Sequence, residues 1–112
     1  MTTITVTDER ITVLGHSGYS NPGTDIVCAA VSVLAQTLVQ SAFELCEDKT
    51  AWSIKEGEVI LEYQHPSERL RLLIGAFIIG AGGIAEAYPE HVELRVGVEL
   101  VKSYGLERAW NS

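Results

Sequence analysis

In the stretch GHSGYSNPGTDIVCAAVS, residues 15–32, Cys28 follows His16 by twelve residues. Cysteine and histidine are the pair that acyl transfer needs: one attacks a carbonyl and the other carries the proton. From about Asp25 the residues turn small and apolar. Cys28 therefore falls near the third or fourth position of a predicted helix that Thr24 or Asp25 can cap. Backbone N–H groups there have no intrahelical partner, and the helix dipole is positive. Both favour the thiolate, the nucleophilic form. The same N–H groups can hold the oxyanion of a tetrahedral intermediate. His16 ends the preceding strand and can face the helix start across the loop.

Asp25 admits three readings: it orients His16, it caps the helix, or as a nearby anion it opposes the thiolate. Ser32 lies one turn beyond Cys28 on the same face and can hydrogen-bond near the thiol. Ala29 and Ala30 add no bulk, which lets a substrate backbone come close. A plainer reading stands beside this one. A cysteine among Val, Ala and Ile is commonly inert core, Gly15, Gly18 and Gly23 can serve only as turns, and Tyr19 can serve only as a loop anchor.

Other residues offer less chemistry. His65 and His91 have no second ligand at metal spacing, and neither C-x-x-C nor H-x-x-x-H occurs, so no metal site is expected. The segment GAGGIA, residues 80–85, matches a loose dinucleotide fingerprint. It follows a helix start instead of a strand, and only 27 residues remain after it, so no dinucleotide unit is expected. No cofactor is expected. Cys46 reads as structural. If it shares one helix with Cys28, eighteen residues separate them by about 27 Å, too far for a disulfide.

Positioning the pair falls to the surrounding elements. Thr3–Thr7 and Arg10–Gly15 alternate around Asp8-Glu9 and predict a hairpin, with Ile4 and Val6 facing Ile11 and Val13. A helix is predicted from about Asp25 to Leu45, on a pattern of Ile26, Ala29, Ala30, Val33, Leu34, Thr37, Leu38 and Phe43. Ala51–Lys55 and Val59–Gln64 form a second hairpin around Glu56-Gly57-Glu58. A second helix opens with Pro66 near its first position and runs to about Tyr88, before Pro89. Val92–Val98 reads as a last strand, and the final dozen residues are ambiguous. The order β-β-α-β-β-α-β predicts an α+β, two-layer fold. It has a mostly antiparallel sheet of about five strands, with two helices packed on one face.

The chain has 112 residues, 46% of them hydrophobic, and reads as one domain, 1–112, with a single core. Its net charge is −7 and no Lys/Arg cluster occurs, which disfavours nucleic acid and suits a basic partner. No signal peptide is evident. The most apolar run, Leu72–Ala85, is about 14 residues against the roughly 20 of a membrane helix. A cytoplasmic location without membrane attachment is the expectation, with both cysteines as thiols. Uniform apolarity and glycines in the second helix predict a homodimer that uses part of Leu72–Ala85 or the adjacent helix.

The stretch GHSGYSNPGTDIVCAAVS, with the later EAYPEHVEL in matching order, resembles the ribosomal-processing cysteine proteases, the Prp family. The resemblance implies an endopeptidase with Cys28 as nucleophile and His16 as general base and acid, supported by Asp25 and Ser32. It implies a substrate loop containing Gly15, Ser17, Gly18, Tyr19 and Gly23 that moves when peptide binds. It also implies a homodimer that removes an N-terminal extension from the large-subunit ribosomal protein L-twenty-seven, a basic substrate. Two segments depart from the family: GAFIIGAGGIA is less charged than expected, and the tail VKSYGLERAWNS is longer than usual. Competing readings are a dimeric peptide-binding or ribosome-assembly module without catalysis, and a redox-sensing thiol protein.

Overall fold

Alternating apolar and polar residues make β1 (Thr2–Val6) and β2 (Arg10–Leu14) an antiparallel pair, with Ile4 opposite Val13 and Val6 opposite Ile11. These four side chains share one face, and none is more than 6% exposed. The computed structural model describes residues 1–16, 18 and 25–106. Thr7 closes the first turn. Its N–H donates to the Arg10 carbonyl at 2.8 Å, and its hydroxyl accepts from the Arg10 N–H at 3.0 Å.

A second hairpin, β3 (Ala51–Lys55) and β4 (Glu58–Glu62), joins through β4 to β2. The strand order is β3-β4-β2-β1-β5, where β5 (Val92–Val96) pairs parallel with β1. The other three pairings are antiparallel. The parallel pair follows from α2 (Glu68–Ala87), which carries the chain back across the sheet between β4 and β5. The fold is the expected α+β arrangement with a mostly antiparallel five-stranded sheet.

Helix α1 (Ile26–Leu45) and α2 pack on each other and on the sheet, around a core that includes Ile4, Val27, Leu61, Leu70, Ile74, Ile78 and Val92. Ser67 caps α2. Its hydroxyl accepts from the Leu70 N–H at 3.2 Å and donates to Asp48 Oδ1 at 2.5 Å, while Asp48 Oδ2 accepts the Ser67 N–H at 2.8 Å. Pro66 therefore precedes the cap instead of opening the helix.

Three expectations are corrected. The inward face of α1 is Val27, Val31, Ala35, Leu38, Val39 and Ala42, whereas Ile26, Val33 and Phe43 are exposed. Apolar residues nearly encircle this helix, so its own periodicity does not select a face. The second apolar segment extends beyond the expected 14 residues: α1 and α2 each span 20 and are long and apolar enough to cross a membrane. Each instead lays one face on the sheet. The strand expected over Val92–Val98 ends at Val96, and a third helix, α3 (Val98–Ser103), follows, after which Gly105 turns at φ +68° and Leu106 is buried. Arg71 of α2 holds this tail, donating to the Ser103 carbonyl at 2.8 Å and lying 4.2 Å from the centre of the Tyr104 ring.

Candidate active site

Two glycines set the position of His16. Gly15 leaves β2 at φ +91°, and its N–H donates to the Gly57 carbonyl at 2.9 Å, tying this strand end to the β3–β4 turn. A Cβ on Gly15 would stand 2.5 Å from the Met1 carbonyl oxygen. Gly57 turns at φ +72°, and a Cβ there would stand 3.0 Å from His16 Nε2. The imidazole thus rests on a turn forty-one residues further along the chain.

Asp25 sets the start of α1. Its Oδ1 accepts the Cys28 N–H at 2.8 Å, and its carbonyl accepts the Ala29 N–H at 3.1 Å. Of the three readings of Asp25, capping is the one this geometry displays. It also corrects an expectation, because the Cys28 N–H, one of the first-turn groups, already has a partner in the Asp25 side chain, and an oxyanion contact from it requires the cap to open.

His16 and Cys28 line one cleft of about 420 Å³, together with Gly15, Ser32 and Gln36. Cys28, Ser32 and Gln36 recur every four residues and form one wall from α1. The Ser32 hydroxyl accepts from Gln36 Nε2 at 2.8 Å. The opposite wall is the hairpin from Ile54 to Val59. Sequence reasoning missed Gln36, although its spacing from Ser32 was a usable signal. It also missed the hairpin wall, which no local pattern marks.

Cys46 lies at the other end of α1 as its C-cap. Burial pushes its thiol up, the nearby Asp48 carboxylate adds to this, and Arg69 partly opposes both. The two cysteines sit at opposite ends of one helix, and neither forms a disulfide. Of the expected loop residues, Gly18 turns at φ +70°, and among the described residues nothing lies within 4 Å of an added Cβ. Ser17, Tyr19 and Gly23 lie outside the described residues, as does Thr24.

The family described as cysteine protease Prp matches residues 1–93, a span that ends before α3. Among solved structures, SMU.848 from Streptococcus mutans is similar at 30% identity and a TM-score of 0.69, covering 84% of this chain and 90% of that one. The essential ribosomal processing protease Prp from S. aureus, with a covalently linked product peptide, gives a TM-score of 0.75 at 22% identity. That match covers 84% of this chain and 95% of that one. The S. aureus protease with a substrate peptide gives 0.70 at 21% identity, with the same coverage. No functionally curated protein matches the sequence.

Proposed function

The chain belongs to the Prp family of cysteine proteases, and on that premise we propose that it is an endopeptidase working through Cys28 and His16. The observation that carries this reading is the shared cleft, which holds both residues between the start of α1 and the β3–β4 hairpin. His16 takes the thiol proton as Sγ attacks the scissile carbonyl carbon. It returns that proton to the leaving amine as the C–N bond breaks. Water, deprotonated by His16, then attacks the thioester and releases Cys28. Asp25 serves by holding the first turn of α1, and so the cysteine's backbone, in place. Ser32 serves through the polar wall that it forms with Gln36.

The substrate we propose is the N-terminal extension of the large-subunit ribosomal protein L-twenty-seven, processed in the cytoplasm. Two things support it: the S. aureus neighbour is a ribosomal processing protease, and a net charge of −7 suits a basic substrate. We also propose a homodimer. Leu72, Ala76, Ile79 and Gly83 recur along the outer side of α2, all four exposed and without a charge among them. Such a stripe is unfavourable in water and is suited to a second copy.

Incubation with a peptide copying the ribosomal extension, read by mass spectrometry, tests the activity. Cleavage is expected with the native protein. Cys28→Ala should abolish it while peptide binding remains. Binding without cleavage by the native protein would instead favour an assembly module. Cleavage that persists in Cys28→Ala would remove the proposed nucleophile.

A further inference from the structure

Attack by Cys28 on a peptide carbonyl leaves negative charge on the carbonyl oxygen, and that charge needs a hydrogen-bond donor. The Cys28 N–H is already held by the Asp25 carboxylate at 2.8 Å. The next polar side chains that α1 sends into the cleft are Ser32 and then Gln36. Helical side chains lean toward the N-terminus of their helix, so Gln36 reaches back to Ser32 and Ser32 toward Cys28. Residues four apart have Cβ atoms about 5–6 Å apart. That separation puts the Ser32 hydroxyl within reach of an oxygen on the carbon that Cys28 attacks.

A serine hydroxyl has one proton to donate and two lone pairs to receive. Gln36 Nε2 donates into one of those lone pairs at 2.8 Å. Among the described residues Ser32 makes no other hydrogen bond. Helical serines often return their proton to a carbonyl one turn back, and this one does not. Its proton is left for the cleft, and the amide donor on its other side keeps it from turning toward Gln36.

We propose that Gln36 is a positioning residue, fixing the Ser32 hydroxyl so that its proton points at the oxygen where negative charge develops. The role rests on the protease reading. As the bond from Cys28 Sγ to the scissile carbon forms, the carbonyl π pair moves onto oxygen. The Ser32 hydroxyl donates a hydrogen bond to that oxygen and keeps its proton. When the pair returns and the C–N bond breaks, the leaving amine takes its proton from His16. The contact strengthens as the charge grows, so it acts on kcat more than on KM.

A double-mutant cycle on the intact protein, read with the ribosomal-extension peptide, tests this. Gln36 is exposed and lies outside the core, so Gln36→Met removes the donor without disturbing packing. Gln36→Met should lower kcat roughly tenfold with KM unchanged, and Ser32→Ala roughly a hundredfold. Without the hydroxyl, Gln36 has nothing to position. Adding Gln36→Met to Ser32→Ala should therefore cost no further activity. Alkylation of Cys28 by iodoacetamide forms no oxyanion, and it should keep its native rate in all three variants. An unchanged kcat in Gln36→Met, a rise in KM alone, losses that multiply in the double variant, or slowed alkylation would each overturn the proposal. A native protein that cuts no peptide would overturn the protease reading, and the positioning role with it.

Discussion

Cys28 and Cys46 have the same side chain and opposite surroundings. Cys46 is held protonated by burial and by the Asp48 carboxylate, whereas Cys28 opens onto a cleft beside His16. Iodoacetamide at pH 7 should therefore alkylate Cys28 well before Cys46, because the thiolate is the reacting form. Mass mapping of the two peptides over time checks this, and equal rates would count against an activated nucleophile. Gly57 offers a second test. Its positive φ disfavours any side chain, and a Cβ would press on His16 Nε2. Gly57→Ala should cost about 1 kcal/mol of stability and lower kcat by more than that loss explains, since the imidazole must shift. Gly18 has an equally positive φ, but no described residue lies within 4 Å of an added Cβ. Gly18→Ala should cost similar stability without touching His16.

At the scale of elements, the start of α2 depends on a side chain nineteen residues away. Asp48 accepts both the hydroxyl and the N–H of Ser67, which lowers the Asp48 carboxyl from its ordinary value. A carboxyl lowered in the folded state contributes stability above the unfolded value, near 3.9, and loses it as pH falls through the folded value. Urea unfolding of the native protein and Asp48→Asn should thus differ most at neutral pH and converge in strong acid. Ser67→Ala should cost about 1 kcal/mol, since it removes the cap of α2 and the partner of Asp48 together. Helix contact is the other issue at this scale. A Cβ on Gly80 would lie 3.0 Å from a Leu34 methyl, so α1 approaches α2 here through a side chain, where the glycines alone suggest close backbone contact. Because Leu34 can rotate, Gly80→Ala should change stability by less than 1 kcal/mol.

For the whole molecule, the apolarity that lets both long helices satisfy a membrane-length criterion has two destinations. One face of each enters the core, and the outer stripe of α2 remains exposed. Equilibrium sedimentation at micromolar concentration should show a dimer, and Leu72→Glu with Ile79→Glu should convert it to a folded monomer. A native monomer at that concentration would leave the stripe without a second copy. The end of α3, which lies beyond the family match, is fastened to α2 by Arg71 through Ser103 and Tyr104. Arg71→Ala should raise protease sensitivity after residue 97 and leave the sheet intact.

Local interactions are legible in the amino-acid sequence by itself. The two hairpins, the extents of α1 and α2, a cap at Thr24 or Asp25 and the closeness of Cys28 to a helix start all depend on contacts within a few residues. Spacing and residue type determine such contacts directly. The cleft depends on pairings that spacing does not encode. Gly57 lies beneath His16 because β2 pairs with β4, and Ile54 borders the Cys28 cleft because β3 lies outside β4. The inward face of α1 is equally hidden, since apolar residues nearly surround the helix. Only packing against the sheet chose Val27, Val31 and Ala35 for the core and left Ile26, Val33 and Phe43 outside. Tertiary structure decided these features because each depends on which distant surface offers the greater burial, a comparison made only by the folded chain.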